Sequence, residues 1–91
     1  MDALKTIEIN EFGFRELLEK TASNSDYNYY VAFESGLGTD LIVFITNAIN
    51  NIAYSLVDNI GEQVFFKKIE HALSVFAGVP KNRVIRVVMA G

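Results

Sequence analysis

The segment LIVFITNAINNIAYSLV, residues 41–57, decides the fold, because its pattern fits two different structures. At 100° per residue, its large apolar side chains gather on one side of a helix and its asparagines on the other. Consecutive β-branched residues and asparagines are poor helix formers, however. They suit two strands, 41–46 and 52–57, joined by a turn at 47–51. We favour the helix because of its period and keep the two strands as the alternative.

The helical interpretation leaves a second line of side chains, here called the seam, on the side away from the core. The seam consists of Val43, Asn47, Asn50, Tyr54 and Val57, which follow one another at spacings of four, three, four and three residues. This spacing resembles a heptad, and exposed apolar groups aligned in this way mark contact surfaces. We therefore predict that the seam binds a partner protein or a second copy of the chain.

The segments on either side of this stretch have clearer periods. Residues 5–10 and 27–33 alternate between two faces and predict strands, and the β-branched run 83–90 predicts a final, largely buried strand. Apolar spacings of three and four residues predict helices over 11–22 and 62–77. The predicted strands and helices are therefore interspersed along the chain.

These elements predict one small α+β domain that spans residues 1–91. Its architecture is a two-layer sandwich of order β-α-β-α-α-β, or β-α-β-β-β-α-β if residues 41–57 form a hairpin. The expected core contains Ile7, Ile9, Leu17, Leu18, Val31, Phe33, Ile45, Ile49, Ile52, Phe65, Ile69, Leu73, Phe76, Val84 and Val88.

Composition narrows the class of protein. The 91 residues are 51% hydrophobic and include no cysteine, so we expect a core that needs neither disulfides nor thiolate metal ligands. The first residues lack the basic and apolar regions of a signal peptide, and no apolar run is long enough to span a membrane. We expect a cytoplasmic protein that does not associate with membranes.

The sequence offers no recognisable enzyme motif. His71, the single histidine, lies on the polar side of its predicted helix without a neighbouring co-ligand or nucleophile. The glycine turn at 36–39 lacks the third glycine and the lysine of phosphate-binding loops. The aromatic residues of 27–33 fit a core strand better than a base-stacking platform. We expect a non-enzymatic protein with no cofactor and no bound metal.

Charge is distributed unevenly along the chain. Residues 1–62 carry ten acidic and three basic side chains, whereas residues 63–91 carry five basic and one acidic. An acidic surface suits a partner with a basic groove. We therefore expect a small acidic interaction protein that binds a protein surface, as inhibitors, immunity proteins and adaptors do. Bacteriophages and other mobile elements encode many accessory proteins of this size, and a homo-oligomer is compatible with the same function.

The basic third of the chain supports an alternative function. In this alternative the protein is a nucleotide-binding or nucleic-acid-binding module whose cations contact phosphate groups, together with the turn at 36–39. The cations concerned are Lys67, Lys68, Lys81, Arg83 and Arg86. The two hypotheses differ in the chemistry of the partner, a protein surface in one and an anionic ligand in the other.

Overall fold

Five strands and two helices form the part of the chain that the computed structural model describes, residues 4–33 and 40–89. In chain order they are β1 (Lys5–Ile9), α1 (Glu11–Thr21), β2 (Tyr27–Phe33), β3 (Leu41–Asn47), β4 (Ile52–Leu56), α2 (Ile69–Ser74) and β5 (Ile85–Met89). The strands make one mixed sheet of order β1-β4-β3-β2-β5. The outer pairs β1/β4 and β2/β5 are parallel, and the inner pairs are antiparallel.

The segment 41–57 forms a hairpin, so the helix that we favoured is wrong and the two-strand alternative gives the observed order. Asn47 builds the turn, because its side-chain oxygen accepts hydrogen bonds from the backbone N–H groups of Ile49 and Asn50 at 3.0 and 3.1 Å. Asn51 adopts a left-handed φ of 55°, which asparagine tolerates better than most residues. The asparagines that opposed a helix are thus the turn residues.

The seam that depended on the helix does not form one exposed line. Val43, Asn47 and Val57 are buried, Tyr54 is half-buried, and Asn50 lies in the exposed turn. Successive side chains of a strand point to opposite faces, so residues at helical spacing cannot stay on one side of a hairpin. The predicted alignment was a product of the wrong period.

The last helix is shorter than the predicted 62–77, because the chain turns before it. The Asp58 carboxylate accepts hydrogen bonds from the backbone N–H groups of Ile60 at 3.0 Å and Glu62 at 2.9 Å. Gly61, between them, adopts a φ of 84°. The chain then runs extended through Gln63, which bridges to Val57 just after β4, and Phe66, which bridges to Leu41 at the start of β3. Only the second half of the predicted segment is left for α2.

The hydrophobic core lies between one face of the sheet and the two helices. Phe14 of α1, Ala72 of α2 and Phe76 just beyond α2 pack on the central strands. The Phe76 ring lies 5.8 Å from that of Phe14 and 5.6 Å from that of Tyr29, measured between centroids. The Tyr29 hydroxyl shares a 2.8 Å hydrogen bond with the Thr21 hydroxyl, so this polar atom is satisfied within the core.

Four of the residues expected in the core are exposed instead. Ile49 lies in the β3–β4 turn and Val84 just before β5, where none of the seven described elements covers them. Phe65 and Leu73 were expected to pack from one long helix. The structure has an extended segment and a short helix there, and both side chains are exposed. The final strand also differs from its prediction, because β5 lies at the edge of the sheet and is only partly buried.

Arg83 ties the start of β5 to the end of α1. Its guanidinium donates to the backbone carbonyl oxygens of Thr21 at 2.6 Å, Ala22 at 3.1 Å and Tyr27. It also lies 4.7 Å from the centre of the Tyr29 ring. The carbonyl groups at a helix C-terminus carry partial negative charge, so a cation stabilises them. The contact joins residues 62 positions apart.

The different burial of two neighbouring side chains predicts different costs of truncation. Phe76→Ala should lower the free energy of unfolding by about 3–5 kcal/mol, because Phe76 is 2% exposed and its loss leaves a cavity. Leu73→Ala should cost about 1 kcal/mol or less, because Leu73 is 36% exposed. Urea unfolding followed by circular dichroism measures both, and equal losses would contradict the described packing.

Arg83 should be needed for stability. Arg83→Met keeps much of the aliphatic stem but removes every hydrogen bond of the guanidinium, and we expect it to cost about 2–3 kcal/mol in the free energy of unfolding. Lys81→Met is the matched control, since Lys81 is exposed in the preceding loop and should change stability by about 0.5 kcal/mol or less. Two variants of equal stability would show that the Arg83 contacts contribute nothing.

Candidate functional site

A groove of about 660 Å³ opens between α1 and the chain that follows β4. Its walls come from α1, the end of β4 and residues 64–66 and 74–78. The floor of the groove is apolar and consists of Phe14, Leu18, Leu56, Val64, Phe66 and Val75. A concave, largely apolar surface of this size is the usual setting of a binding site.

The sequence of α1 explains one wall of the groove. Asn10 caps the helix by accepting a 2.9 Å hydrogen bond from the backbone N–H of Gly13, which fixes where the helix begins. From there a spacing of four residues places Phe14 and Leu18 in one row, which reaches the floor. The same spacing places Glu11, Arg15 and Glu19 in the neighbouring row, which forms the rim.

Carboxylates outnumber cations at the rim. Glu11 and Glu19 on α1 and Asp58 on the opposite wall face one guanidinium, that of Arg15. Arg15 donates a 2.8 Å hydrogen bond to Glu11, and both side chains are well exposed, so this pair contributes little stability. The other two carboxylates have no cation beside them on the groove lining, although Asp58 accepts the backbone hydrogen bonds of its own turn, so the formal charge of the rim is negative.

The groove therefore offers apolar contact and attraction for cations.

The other candidate residues of the sequence lie outside the groove. His71 lies on α2 outside the lining and is exposed. Over residues 4–33 and 40–89 no three histidine, cysteine, aspartate or glutamate side chains come together as a group that could hold a metal ion. Neither helix in these ranges is long and apolar enough to cross a membrane. The glycine turn at 36–39 lies outside the described residues.

The basic residues of the predicted anion site lie at two ends of the sheet. Lys67 is paired with Asp40 beside the start of β3, and Lys68 immediately precedes α2. Arg83 lies next to Tyr27, at the start of β2. Because β2 and β3 are antiparallel, these two places are at opposite ends of the strands. The five cations do not form one continuous patch.

A smaller pocket of about 410 Å³ does bring two of these cations together. Arg83 and Arg86 line this pocket together with Asn82 and with Ser23 and Ser25 of the α1–β2 loop. Lys81 does not line it. The guanidinium of Arg83 is already held by backbone carbonyls, however, and the negative end of the α1 dipole opposes an anion there. Arg86 is the more exposed of the two arginines.

The groove was not predicted from the sequence, although one signal for it was present. Of the predicted seam, Val57 lines the groove and the other four residues do not. Leu18 of the apolar row was predicted as a core residue, and no binding role was predicted for the charged row beside it. A charged row next to an apolar row on one helix is visible in the sequence, but the opposite wall of the groove comes from residues 56–78, far along the chain.

The aromatic residues of β2 are divided between the two faces of the sheet. Tyr27, Tyr29 and Phe33 belong to the face that packs against the helices. Tyr30 lies on the opposite face, where its ring stacks on that of Phe44 at 4.9 Å between centroids and 7° between planes. The expectation that this strand is core therefore holds for one of its faces.

The groove and the stacked aromatic pair are the two surfaces whose chemistry points to binding. One lies in the helical layer and the other on the far side of the sheet. Comparison with known proteins supplies no relative for either surface, since the chain matches no protein-family model, no curated protein and no solved structure.

Proposed function

We propose that this chain is a non-enzymatic interaction protein that binds a partner protein through the groove beside α1. The observation that carries the proposal is an apolar floor bordered by three carboxylates and one guanidinium. A segment with large apolar side chains next to lysine or arginine would satisfy both parts of this surface. The apolar side chains supply affinity by burial, and the charges supply selectivity and a faster association.

The shape of the groove favours a polypeptide segment as its ligand. One wall is a regular helix and the other is extended chain followed by a short helix, so a ligand in the groove would contact two lengths of backbone-borne side chains. Its volume, about 660 Å³, accommodates several side chains. The net charge of −3 adds a general attraction for a basic partner. An inhibitor, an immunity protein or an adaptor would each act by occupying a partner in this way.

The nucleic-acid alternative receives less support. Its cations lie at two ends of the sheet, one of them is paired with Asp40, and Arg83 is occupied by carbonyl groups. Affinity for a nucleic acid depends on how many phosphates are neutralised together. A protein with net negative charge and scattered lysines would bind such a ligand weakly at physiological salt.

Selection from a peptide library displayed on phage tests the groove. We expect enriched peptides to combine apolar residues with lysine or arginine and to lack acidic residues. In ¹⁵N NMR spectra a synthetic peptide of the enriched sequence should shift the signals of Phe14, Leu18 and Val64. Glu19→Lys should weaken its binding about three- to tenfold, because one attraction at the rim becomes a repulsion.

Glu16→Lys is the matched control for this experiment. Glu16 lies on the same helix and is exposed, but it does not line the groove. Its reversal changes the net charge by the same amount, so binding to this variant should stay close to that of the unchanged protein. An acidic consensus, or equal weakening by both variants, would contradict recognition at the groove.

A thermal melt with anionic ligands separates the two functions. Nucleotides and short single-stranded oligonucleotides at physiological ionic strength should leave the melting temperature unchanged, because a ligand raises it only by binding the folded state. A rise that disappears in high salt and in Arg86→Glu would establish the anion-binding alternative. The same peptide that binds the groove serves as the positive control.

A further inference from the structure

The sheet has one face on which no described helix lies. Both helices pack on the face that contains Tyr29, Val43 and Ile45. The opposite face, here called the open face, has the stacked pair Tyr30 and Phe44 near its middle. A sheet face with aromatic side chains at its centre is a surface that another layer would normally cover.

The strand register places five open-face residues side by side in one row across the sheet. Here called the central row, it runs from β1 to β5 as Glu8, Ser55, Phe44, Tyr30 and Arg86. Phe44 lies on β3, which is the middle strand of the five. The two ends of the row are oppositely charged and exposed, and the residues between them carry no charge.

The central row is complementary to itself under a two-fold rotation. An axis parallel to β3, lying between the two sheets and over Phe44, lays β1 of one copy over β5 of the other, because each is two strands away from the middle. Glu8 then faces Arg86 of the second copy, and Arg86 faces Glu8. Each copy uses the same patch, as an interface between identical chains with two-fold symmetry requires.

The distances fit such a stack. Stacked sheets lie about 10 Å apart, which the long side chains of Glu8 and Arg86 can span from opposite sides. At the axis the Phe44 ring of one copy meets that of the other, and each Tyr30 ring, stacked on its own Phe44, faces Ser55 of the second copy. Such aromatic contacts are the usual centre of an interface, and the charges lie at its rim.

The neighbouring rows raise no electrostatic obstacle. On one side of the central row the register gives Thr6, Ala53, Thr46 and Asn28, and on the other side it gives Ile42, Ala32 and Val88. All of these side chains are neutral, so these two rows bring no like charges together. The row with two apolar aliphatic side chains and an alanine would gain by burial.

We propose that the open face binds a second copy of this chain, forming a symmetric dimer in which the two sheets stack about an axis along β3. The contacts that select this arrangement are the two reciprocal pairs of Glu8 with Arg86 and the pair of Phe44 rings at the axis. The proposal does not depend on the proposed function, because the groove lies in the helical layer on the other side of the sheet.

Sedimentation equilibrium of charge variants tests the dimer. The unchanged protein should give twice the mass of one chain at high concentration and dissociate on dilution. Glu8→Arg and Arg86→Glu should each raise the dissociation constant about a hundredfold, because each places like charges together at both ends of the interface. Both residues are exposed, and circular dichroism verifies that the variants fold.

The two variants should restore the dimer when they are mixed. A copy with Glu8→Arg paired with a copy carrying Arg86→Glu has opposite charges at both contacts, and the double variant Glu8→Arg/Arg86→Glu has them again within one sequence. The expected result is a mixed dimer from two chains that are monomers separately. Glu16→Arg and Lys81→Glu alter exposed charges away from the open face and should leave the mass unchanged.

Thr46→Arg is a further variant, which tests the interface at a neutral residue and leaves Glu8 and Arg86 unchanged. Thr46 lies on β3 beside the axis, so two arginines would face each other in the dimer and keep the chain monomeric. A monomer at every concentration of the unchanged protein would overturn the proposal. A dimer that withstands the Glu8→Arg and Thr46→Arg changes would also overturn it, because that dimer would use another surface.

Discussion

The buried ring of Tyr29 holds the two layers of this protein together. It lies on β2 with no exposed surface, its hydroxyl meets Thr21 at the end of α1, and Phe76 and Arg83 contact its ring. One side chain therefore joins the sheet, the first helix, the end of the second helical segment and the start of the last strand. A buried hydroxyl without a partner costs about 1–3 kcal/mol, so the position of α1 is constrained by this hydrogen bond as well as by packing.

Strong local signals made the first third of the chain predictable. The alternation of β1, the Asn10 cap of α1 and the alternation of β2 all act within a few residues, and the structure has these elements within about one residue of their predicted bounds. The helix predicted for residues 41–57 was wrong for a physical reason. Ile42 and Phe44 occupy the open face, so β3 is apolar on both faces and lacks the alternation that identifies a strand.

The candidate groove could not be predicted in the same way, because it is a product of tertiary contact. Its α1 wall is visible as two rows of side chains, whereas its other wall depends on the turn at Asp58 and on the extended segment that follows. Sequence periodicity had assigned that segment to a helix. Two cations of the basic third are engaged within the fold, Lys67 by Asp40 and Arg83 by backbone carbonyl groups, and such tertiary partners cannot be identified from the sequence.

The Arg83 contact also bears on how the chain assembles. It joins residues 62 positions apart, and the parallel strands β1 and β5 are likewise attached to partners far along the chain, whereas β2, β3 and β4 are consecutive. Closing long loops costs more chain entropy than closing short ones, and proteins rich in such contacts fold slowly. Folding should therefore begin in the middle of the sequence, with the three-stranded meander, and the two edge strands should be added afterwards. Until Arg83 reaches α1, the meander has an unpaired edge along β2, and this is the stage at which the nascent protein is most exposed to pairing with the wrong strand.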